Sequence, residues 1–256
     1  MAYWQAAAQT EVQVVLTRNR RFRNCCIFLL FLQQMLPDDT RSKIENITQG
    51  IIIPGLLDNC TQIRNLLCGS YPTSTTVKTN FESQSIIKEE QGHLISAFCD
   101  QHNLWAVNVP GEDRYLTRGG EASVYLRDDG LSVIKLNDGV YYATWLEFLN
   151  SLLLHNLIFE NTAYTLLGFI KRNKLLYAVL EQPFVVCDGQ AELGDVKKFL
   201  EFNGFINTRR QDYSHPELGL ILEDMHDENV LLCQEKLFFI DTVFYTVSPK
   251  AVNPNV

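Results

Sequence analysis

Three polar side chains near the end of the sequence have the types and spacing needed to handle a phosphate group. Asp224 and Asn229 lie five residues apart, and Asp241 follows twelve residues later, directly after the apolar run 237–240. A carboxylate at the end of an apolar strand is costly to bury unless a cation or hydrogen-bond donors compensate it. Mg²⁺ prefers oxygen ligands, and a hydroxyl that receives a phosphate needs a carboxylate to accept its proton. The spacing therefore indicates phosphoryl transfer, with Asp224 as base and Asn229 and Asp241 as metal ligands.

Short strands and helices must position these side chains. Apolar residues at helical spacing predict one helix over 86–104 and a mostly apolar helix over 141–157. Runs rich in β-branched and aromatic residues, separated by turn residues, predict antiparallel strands. The predicted strands are 114–117, 122–127, 131–136, 164–170, 175–181, 229–233 and 236–240, and a further helix covers 192–202. Residues 203–228 are expected to be mainly loop, and the order of elements favours an α+β module with two lobes.

Gly119 and Gly120 lie between the first two predicted strands. A glycine-rich loop at such a place lets backbone N–H groups approach phosphate oxygens. A double glycine also forms ordinary hairpin turns, and that alternative stays open.

The segment that contains Asp224, Asn229 and Asp241 resembles the protein-kinase-like superfamily. Asp224 and Asn229 match the aspartate and asparagine of the H-R-D-x-x-x-x-N catalytic loop, and Asp241 matches the aspartate of D-F-G. Leu222 and Glu223 replace the histidine and arginine, so the resemblance is to the wider superfamily. The sequence from Asp224 to Asn229 looks more like the D-x-H-x-x-N loop of aminoglycoside and choline phosphotransferases.

Within the superfamily, the chain looks most like the compact Ser/Thr/Tyr kinase domain of bacterial polyvalent proteins. The runs that support this are 133–138, 142–147, 151–159 and 221–245, and the superfamily resemblance covers roughly residues 105–247. It implies a two-lobed protein-kinase-like fold with a five-stranded antiparallel N-lobe sheet and a reduced C-lobe. It also implies ATP and Mg²⁺ as cofactors, a bacterial cytoplasm and a mobile genetic element.

The resemblance assigns roles to further residues. Lys135, in a strand similar to V-A-I-K, is expected to bind phosphates, although a lysine facing water at a sheet edge is the alternative. Glu147 is the candidate carboxylate to orient Lys135, and a solvated glutamate is nearly as good an interpretation. The residues expected to bind nucleotide are Gly119, Gly120, Glu121, Ala122, Ser123, Val124, Lys135, Glu181, Gln182 and Phe184.

The phosphate acceptor, a protein or a small molecule, cannot be named from the sequence. The short stretch after Asp241 has no activation loop and no A-P-E, which favours a small-molecule phosphotransferase or an autophosphorylating module over an ordinary peptide kinase. The degenerate glycine loop also leaves an inactive pseudokinase that binds partners as an alternative. A toxin-type kinase acting on translation is another.

Composition sets outer limits on these hypotheses. The net charge of −8 disfavours a broad nucleic-acid footprint. The apolar run 25–32 is too short to span a bilayer and is expected to be a buried amphipathic helix, with a membrane-surface or targeting role as the alternative. We expect residues 1–84 to be a leader or linker, irregular over 37–84, and residues 85–250 to form the compact kinase-like domain.

Overall fold

The computed structural model describes residues 37–55, 57–70, 81–120, 122–187 and 189–247, with only the backbone of 81–84. The helices in these ranges are α1 (Asp38–Thr48), α2 (Asn59–Ser70), α3 (Phe81–His102), α4 (Trp145–Ile158) and α5 (Leu193–Phe202). The strands are β1 (Tyr115–Arg118), β2 (Ala122–Leu126), β3 (Ser132–Asn137), β4 (Thr165–Arg172), β5 (Leu175–Pro183), β6 (Gly189–Gln190), β7 (Ile206–Arg209), β8 (Asp212–His215), β9 (Leu220–Glu223), β10 (Val230–Cys233), β11 (Lys236–Phe239) and β12 (Val243–Thr246). The apolar run 25–32 and Glu121 lie outside the described residues.

The largest sheet has five strands in the order β1-β2-β3-β5-β4. Every neighbouring pair is antiparallel, which confirms the five-stranded antiparallel sheet predicted from the sequence. The β2–β3 turn ends at Gly130, whose φ of 66° lies in the left-handed region that glycine adopts without strain. Asp129 accepts a hydrogen bond from the N–H of Leu131 at 2.9 Å and so closes this turn.

Helix α4 begins with a side-chain cap and packs into the middle of the protein. Thr144 accepts a hydrogen bond from the N–H of Glu147 at 3.2 Å, which satisfies one of the free donors at the helix start. Leu149 and Leu154 are fully buried in the main core. The start lies four residues after the predicted one because the cap fixes the first turn at Trp145.

The expectation that residues 37–84 are irregular is wrong for the described part. Asp38–Thr48 and Asn59–Ser70 are helices, and Ile44 and Ile63 lie in the same core as α4. The buried positions of α2 have helical spacing, but two polar residues, Thr61 and Arg64, lie among them and hide the apolar pattern. The buried residues are Cys60, Thr61, Ile63, Arg64, Leu67 and Cys68.

Arg64 explains how a charged residue can lie in this core. Its Nε donates to Asn150 Oδ1 at 3.0 Å, and Nη2 donates to the carbonyl of Asn46 at 3.3 Å. Nη1 donates to the carbonyl of Ile51. Burial lowers the pKa of the guanidinium, and carbonyl oxygens near the end of α1 compensate for the lost water. Arg64 thus ties α1 and α2 to α4.

Two smaller sheets follow. One has the order β11-β10-β6, and its β10–β11 hairpin is the one predicted. The other has the order β12-β9-β8-β7, so the expected loop over 203–228 is largely wrong: three short strands lie there. Across the described ranges, every helix is too short or too polar to cross a membrane.

Candidate active site

Lys135 reaches the site from the centre of the large sheet. Strand β3 pairs with β2 on one side and with β5 on the other, so Lys135 is on an interior strand and not at a sheet edge. Ile134 and Leu136 point into a small apolar cluster. Lys135 itself is only 5% exposed. A buried ammonium requires a charged or polar partner, and the structure supplies one from a distant part of the chain.

That partner is Asp241. Lys135 Nζ lies 2.9 Å from Asp241 Oδ1 and 3.2 Å from the carbonyl oxygen of Ile240. The Ile240 carbonyl accepts two further hydrogen bonds, from the Tyr164 hydroxyl at 2.6 Å and from Gln182 Nε2 at 3.0 Å. The backbone next to Asp241 is therefore fixed by hydrogen bonds from three separate side chains.

The loop between β9 and β10 presents the second group. Asp224 has a φ of 68°, which is uncommon for a residue with a side chain. Its backbone N–H donates to Asp212 Oδ1 at 3.3 Å. Asn229 Nδ2 donates to the Asp224 carbonyl at 2.9 Å and lies 3.3 Å from Asp224 Oδ2. His226 Nε2 is 3.3 Å from Asp224 Oδ1. The loop is thus closed on itself around the Asp224 carboxylate.

Strand pairing joins this loop to Asp241 at both ends. Glu223 pairs with Val243 in the antiparallel β9–β12 ladder. Asp224, which follows Glu223, therefore lies near Thr242, which directly follows Asp241. At the other end, the N–H of Ile240 donates to the carbonyl of Asn229 at 3.0 Å. The antiparallel registers thus bring Asp224, Asn229 and Asp241 to one place.

A cleft of about 550 Å³ collects most of the predicted site residues. Its walls contain these ten of them: Gly119, Gly120, Ala122, Val124, Lys135, Gln182, Phe184, Asp224, Asn229 and Asp241. A volume of this size lies within the range of small-molecule sites. A side chain at Gly120 would collide with the hydroxyl of Tyr141, so this glycine allows the loop to approach Tyr141 closely.

Ser123, Glu147 and Glu181 are not among the described residues that line the cleft. Ser123 lies in the β1–β2–β3 ladder. The carboxylate of Glu181 accepts hydrogen bonds from Arg127 and, at 2.7 Å, from Ser132 Oγ.

Glu147 stabilises the start of α4. Its Oε2 accepts a hydrogen bond from the N–H of Ala143 at 2.9 Å, while its own N–H donates to Thr144. This is a variant of the capping box, in which a glutamate three residues after the cap bonds back to the chain before the helix. Among the described residues, the ion-pair partner of Lys135 is Asp241, so the structure does not bring Glu147 to Lys135.

The far side of the Asp241 segment is held by His155 of α4. His155 is fully buried, with Nδ1 2.7 Å from Thr242 Oγ1 and Nε2 3.0 Å from the carbonyl of Thr162. Burial lowers the pKa of His155 to about 4, and the hydrogen bond to the Thr162 carbonyl opposes this shift. His155 is therefore neutral near pH 7 and acts as a hydrogen-bonding tether.

The oxygen donors in the cleft suit a magnesium ion that is shared with phosphates. The described residues contain no cluster of three or more His, Cys, Asp or Glu side chains that could hold a metal alone. Asp241 and Asn229 are a carboxylate and an amide, and Asn229 uses its nitrogen for the loop, which leaves its side-chain oxygen available. Mg²⁺ is commonly held by one or two carboxylates together with substrate phosphate oxygens. Asn229 and Asp241 therefore have the donor oxygens that a Mg²⁺ ion shared with phosphates requires.

Two residues of this site, Tyr164 and Asp212, were not predicted from the sequence, and neither was the side-chain role of Gln182. Tyr164 and the side chain of Gln182 hold the Ile240 carbonyl, and Asp212 holds the N–H of Asp224. Gln182 was predicted to bind nucleotide; in the structure its side-chain amide is buried and bridges the carbonyls of Thr162 and Ile240. No local pattern marks these residues, because their partners lie at least twelve positions away.

A second cavity, of about 350 Å³, lies behind Tyr164. It is lined mainly by apolar side chains of α4 and β4 and by residues near α1 and α2, including Leu153, Leu166 and Ile53. Tyr164 contributes to this cavity while its hydroxyl contacts the Asp241 segment.

Residues 88–248 match the family described as serine/threonine/tyrosine kinase found in polyvalent proteins. The chain belongs to this family. The match confirms the resemblance seen in the sequence and contains every candidate site residue of this polyvalent-protein kinase, while α1 and α2 precede it. No curated protein and no solved structure matches the chain.

Proposed function

We propose that the cleft binds ATP and Mg²⁺ and transfers the γ-phosphate to a serine, threonine or tyrosine hydroxyl. The observation that supports this most is the convergence of Lys135, Asp224, Asn229 and Asp241 on one cleft from separate elements. Each has the chemical type that phosphoryl transfer requires, and catalysis of this reaction depends mainly on positioning and electrostatics. Membership of a kinase family supports the same conclusion.

The proposed roles follow from the chemistry of each group. Lys135 provides a cation for phosphate oxygens, and Asn229 and Asp241 hold the metal. When bound, Mg²⁺ neutralises charge on the transferring phosphoryl group. The acceptor hydroxyl oxygen forms a bond to the γ-phosphorus as the bond from that phosphorus to the bridging oxygen breaks and ADP leaves. Asp224 accepts the proton of the hydroxyl.

The proposal also includes a two-lobed arrangement, with the five-stranded sheet on the nucleotide side and the strands around Asp224 on the acceptor side. The glycine loop at Gly119 and Gly120 and the segment at Gln182 and Phe184 are the proposed contacts for phosphates and base. Residues 85–250 form the proposed catalytic unit, acting in a bacterial cytoplasm as part of a mobile-element polyvalent protein.

The test is a transfer assay with radiolabelled γ-phosphate, in which products are separated into protein-bound and free species. The wild type is compared with Asp241→Asn, and Asp227→Asn is the matched control because Asp227 is an exposed acid of the same loop outside the cleft walls. Mg²⁺-dependent transfer that is lost in Asp241→Asn and retained in Asp227→Asn supports the proposal. Full transfer by Asp241→Asn contradicts the metal-binding role.

A further inference from the structure

The carbonyl oxygen of Ile240 accepts more hydrogen bonds than it has lone pairs. Lys135, Tyr164 and Gln182 all donate to it, at 3.2, 2.6 and 3.0 Å. A carbonyl oxygen has two lone pairs, so one donor can leave without leaving the oxygen unsatisfied. Lys135 is the donor with another proposed partner, since the proposed function requires its ammonium to bind phosphate.

Tyr164 is the donor that helix α4 holds in place. Asn156 of α4 holds both backbone groups of Tyr164: its Nδ2 donates to the Tyr164 carbonyl, and its Oδ1 accepts from the Tyr164 N–H, each at 2.7 Å. The ring is 9% exposed and lies 4.7 Å from the ring of His155. Helix α4 therefore sets the position of the Tyr164 hydroxyl.

The hydroxyl of Tyr164 can serve either of two acceptors. It has one hydrogen to donate, and two oxygens of the Asp241 segment are within reach, Ile240 O at 2.6 Å and Asp241 Oδ1 at 3.3 Å. Lys135 Nζ lies 5.4 Å from the centre of the same ring, which provides a face for the cation. Tyr164 thus contacts both members of the Lys135–Asp241 pair.

We propose that Tyr164 is a positioning residue, which keeps Asp241 directed at the metal when Lys135 moves from Asp241 to the phosphates. This inference rests on the proposed function. In the structure, Lys135 holds both Ile240 O and Asp241 Oδ1. After Lys135 leaves, Tyr164 and Gln182 still hold the Ile240 carbonyl, and the aromatic hydroxyl remains beside Asp241. Tyr164 acts through Asp241 and does not itself touch the reacting atoms.

The experiment measures how strongly Mg²⁺ tightens ATP binding to the full chain. Dissociation constants for ATP are measured with and without Mg²⁺ for the wild type, Tyr164→Phe and Gln182→Met. Tyr177→Phe is the matched control, because the Tyr177 hydroxyl has no partner among the described residues and the side chain packs at the small apolar cluster of the sheet. Hydrogen exchange of the backbone over 240–247 is measured on the same proteins.

We expect Tyr164→Phe to reduce the ratio of the two dissociation constants about tenfold, the effect of one hydrogen bond to a charged or strongly polarised group. Binding of ATP without Mg²⁺ should stay as in the wild type, and exchange over 240–247 should become faster. Gln182→Met should likewise reduce the ratio of the dissociation constants and speed exchange over 240–247, and Tyr177→Phe should change neither the ratio nor the exchange. A purely structural loss at Tyr164 would weaken ATP binding equally with and without Mg²⁺.

Two results would overturn the role of Tyr164: an unchanged Mg²⁺ ratio in Tyr164→Phe, or an equal change in Tyr177→Phe. Failure of the proposed function looks different, since the wild type itself would then bind ATP no better with Mg²⁺. Hydrogen exchange still decides in that case. Faster exchange over 240–247 in Tyr164→Phe and Gln182→Met, with exchange in Tyr177→Phe as in the wild type, supports the positioning role, and unchanged exchange in Tyr164→Phe contradicts it.

Discussion

The two halves of the candidate site differ in how they are held. The side chain of Lys135 is 6% exposed, and the Asp241 segment it binds is also held by Tyr164, Gln182 and, through Thr242, by His155. The side chain of Asp224 is 58% exposed. Its contacts come from its own loop and from Asp212. The Lys135–Asp241 pair is therefore held by buried side chains, whereas the carboxylate of Asp224 is exposed and is contacted by its own loop and a neighbouring strand.

This difference matches a division of labour in the proposed reaction. A metal and its phosphates need ligands held to a narrow geometry. Asp241, whose own side chain is 47% exposed, comes from a segment with several independent supports. An acceptor must enter and leave, and the exposed Asp224 can be reached from solvent. Changes in the buried half should affect stability and metal binding, whereas a change of Asp224 itself should mainly affect turnover.

Asp224→Asn is expected to have the largest effect and to change turnover without changing stability. Loss of the proposed base should reduce the turnover rate by about 10²–10⁴-fold, while the free energy of unfolding changes little because the side chain is exposed. Steady-state transfer rates and denaturant unfolding of the same protein check both statements.

Asp212→Asn tests whether Asp212 contributes only its hydrogen bond to Asp224 or also its negative charge. Its amide oxygen can still accept the hydrogen bond from the N–H of Asp224, so turnover should remain within a few-fold of the wild type. A loss as large as that of Asp224→Asn would show that the charge of Asp212 takes part in the chemistry.

The next largest effect is a fall in the free energy of unfolding at acidic pH, caused by protonation of the buried His155. The pKa of His155 is about 4 in the folded protein, below its value of about 6.5 in an unfolded chain. The unfolded state therefore binds the proton more readily, and protonation favours unfolding. The stability contributed by neutral His155 is complete above pH 6.5 and is lost as the pH falls towards 4. Between pH 7 and pH 5 this group should lower the free energy of unfolding by about 2 kcal/mol.

Denaturant unfolding at several pH values checks this prediction. His155→Gln should have a flatter pH dependence than the wild type, because the group that titrates is gone. Equal slopes for His155→Gln and the wild type would contradict the tether assigned to His155.

The smallest effect is expected from Glu147→Gln. Glutamine can also bond back to the chain at the third position of a capping box, so the free energy of unfolding should fall by less than about 1 kcal/mol. Turnover should stay near the wild-type rate, because Lys135 pairs with Asp241 in the structure. A loss of turnover at unchanged stability would instead mean that Glu147 reaches Lys135 during the reaction.

Sequence reasoning predicted the parts of the fold whose signals are local. The strands of the large sheet are separated by turn residues such as Gly130, and the residues of α4 themselves form a clear apolar run. Helix α2 was missed because the buried Arg64 interrupts its apolar stripe, and its partners come from other helices. Strands β7, β8, β9 and β12 have only four residues each, and β12 pairs with a strand twenty residues earlier. Local propensity says little about such pairings.

The same limit applies to the site. Asp224, Asn229 and Asp241 have a recognisable spacing, and the structure brings them together with Lys135. Tyr164, Gln182 and Asp212 have no such spacing, since each acts on a backbone group that only the tertiary fold brings near. The interpretation of Glu147 as the partner of Lys135 came from resemblance, whereas its local contacts make it a helix cap.

The most direct test of the central claim is the thermal unfolding midpoint with ATP, measured with and without Mg²⁺. A ligand that binds the folded state at a hundred times its dissociation constant stabilises it by about 2.7 kcal/mol. We expect ATP with Mg²⁺ to raise the midpoint of the wild type and of the control Lys174→Met, whose side chain lies at the exposed β4–β5 turn. The midpoint of Lys135→Met should not rise. An unchanged midpoint of the wild type with ATP, with or without Mg²⁺, would contradict the central claim.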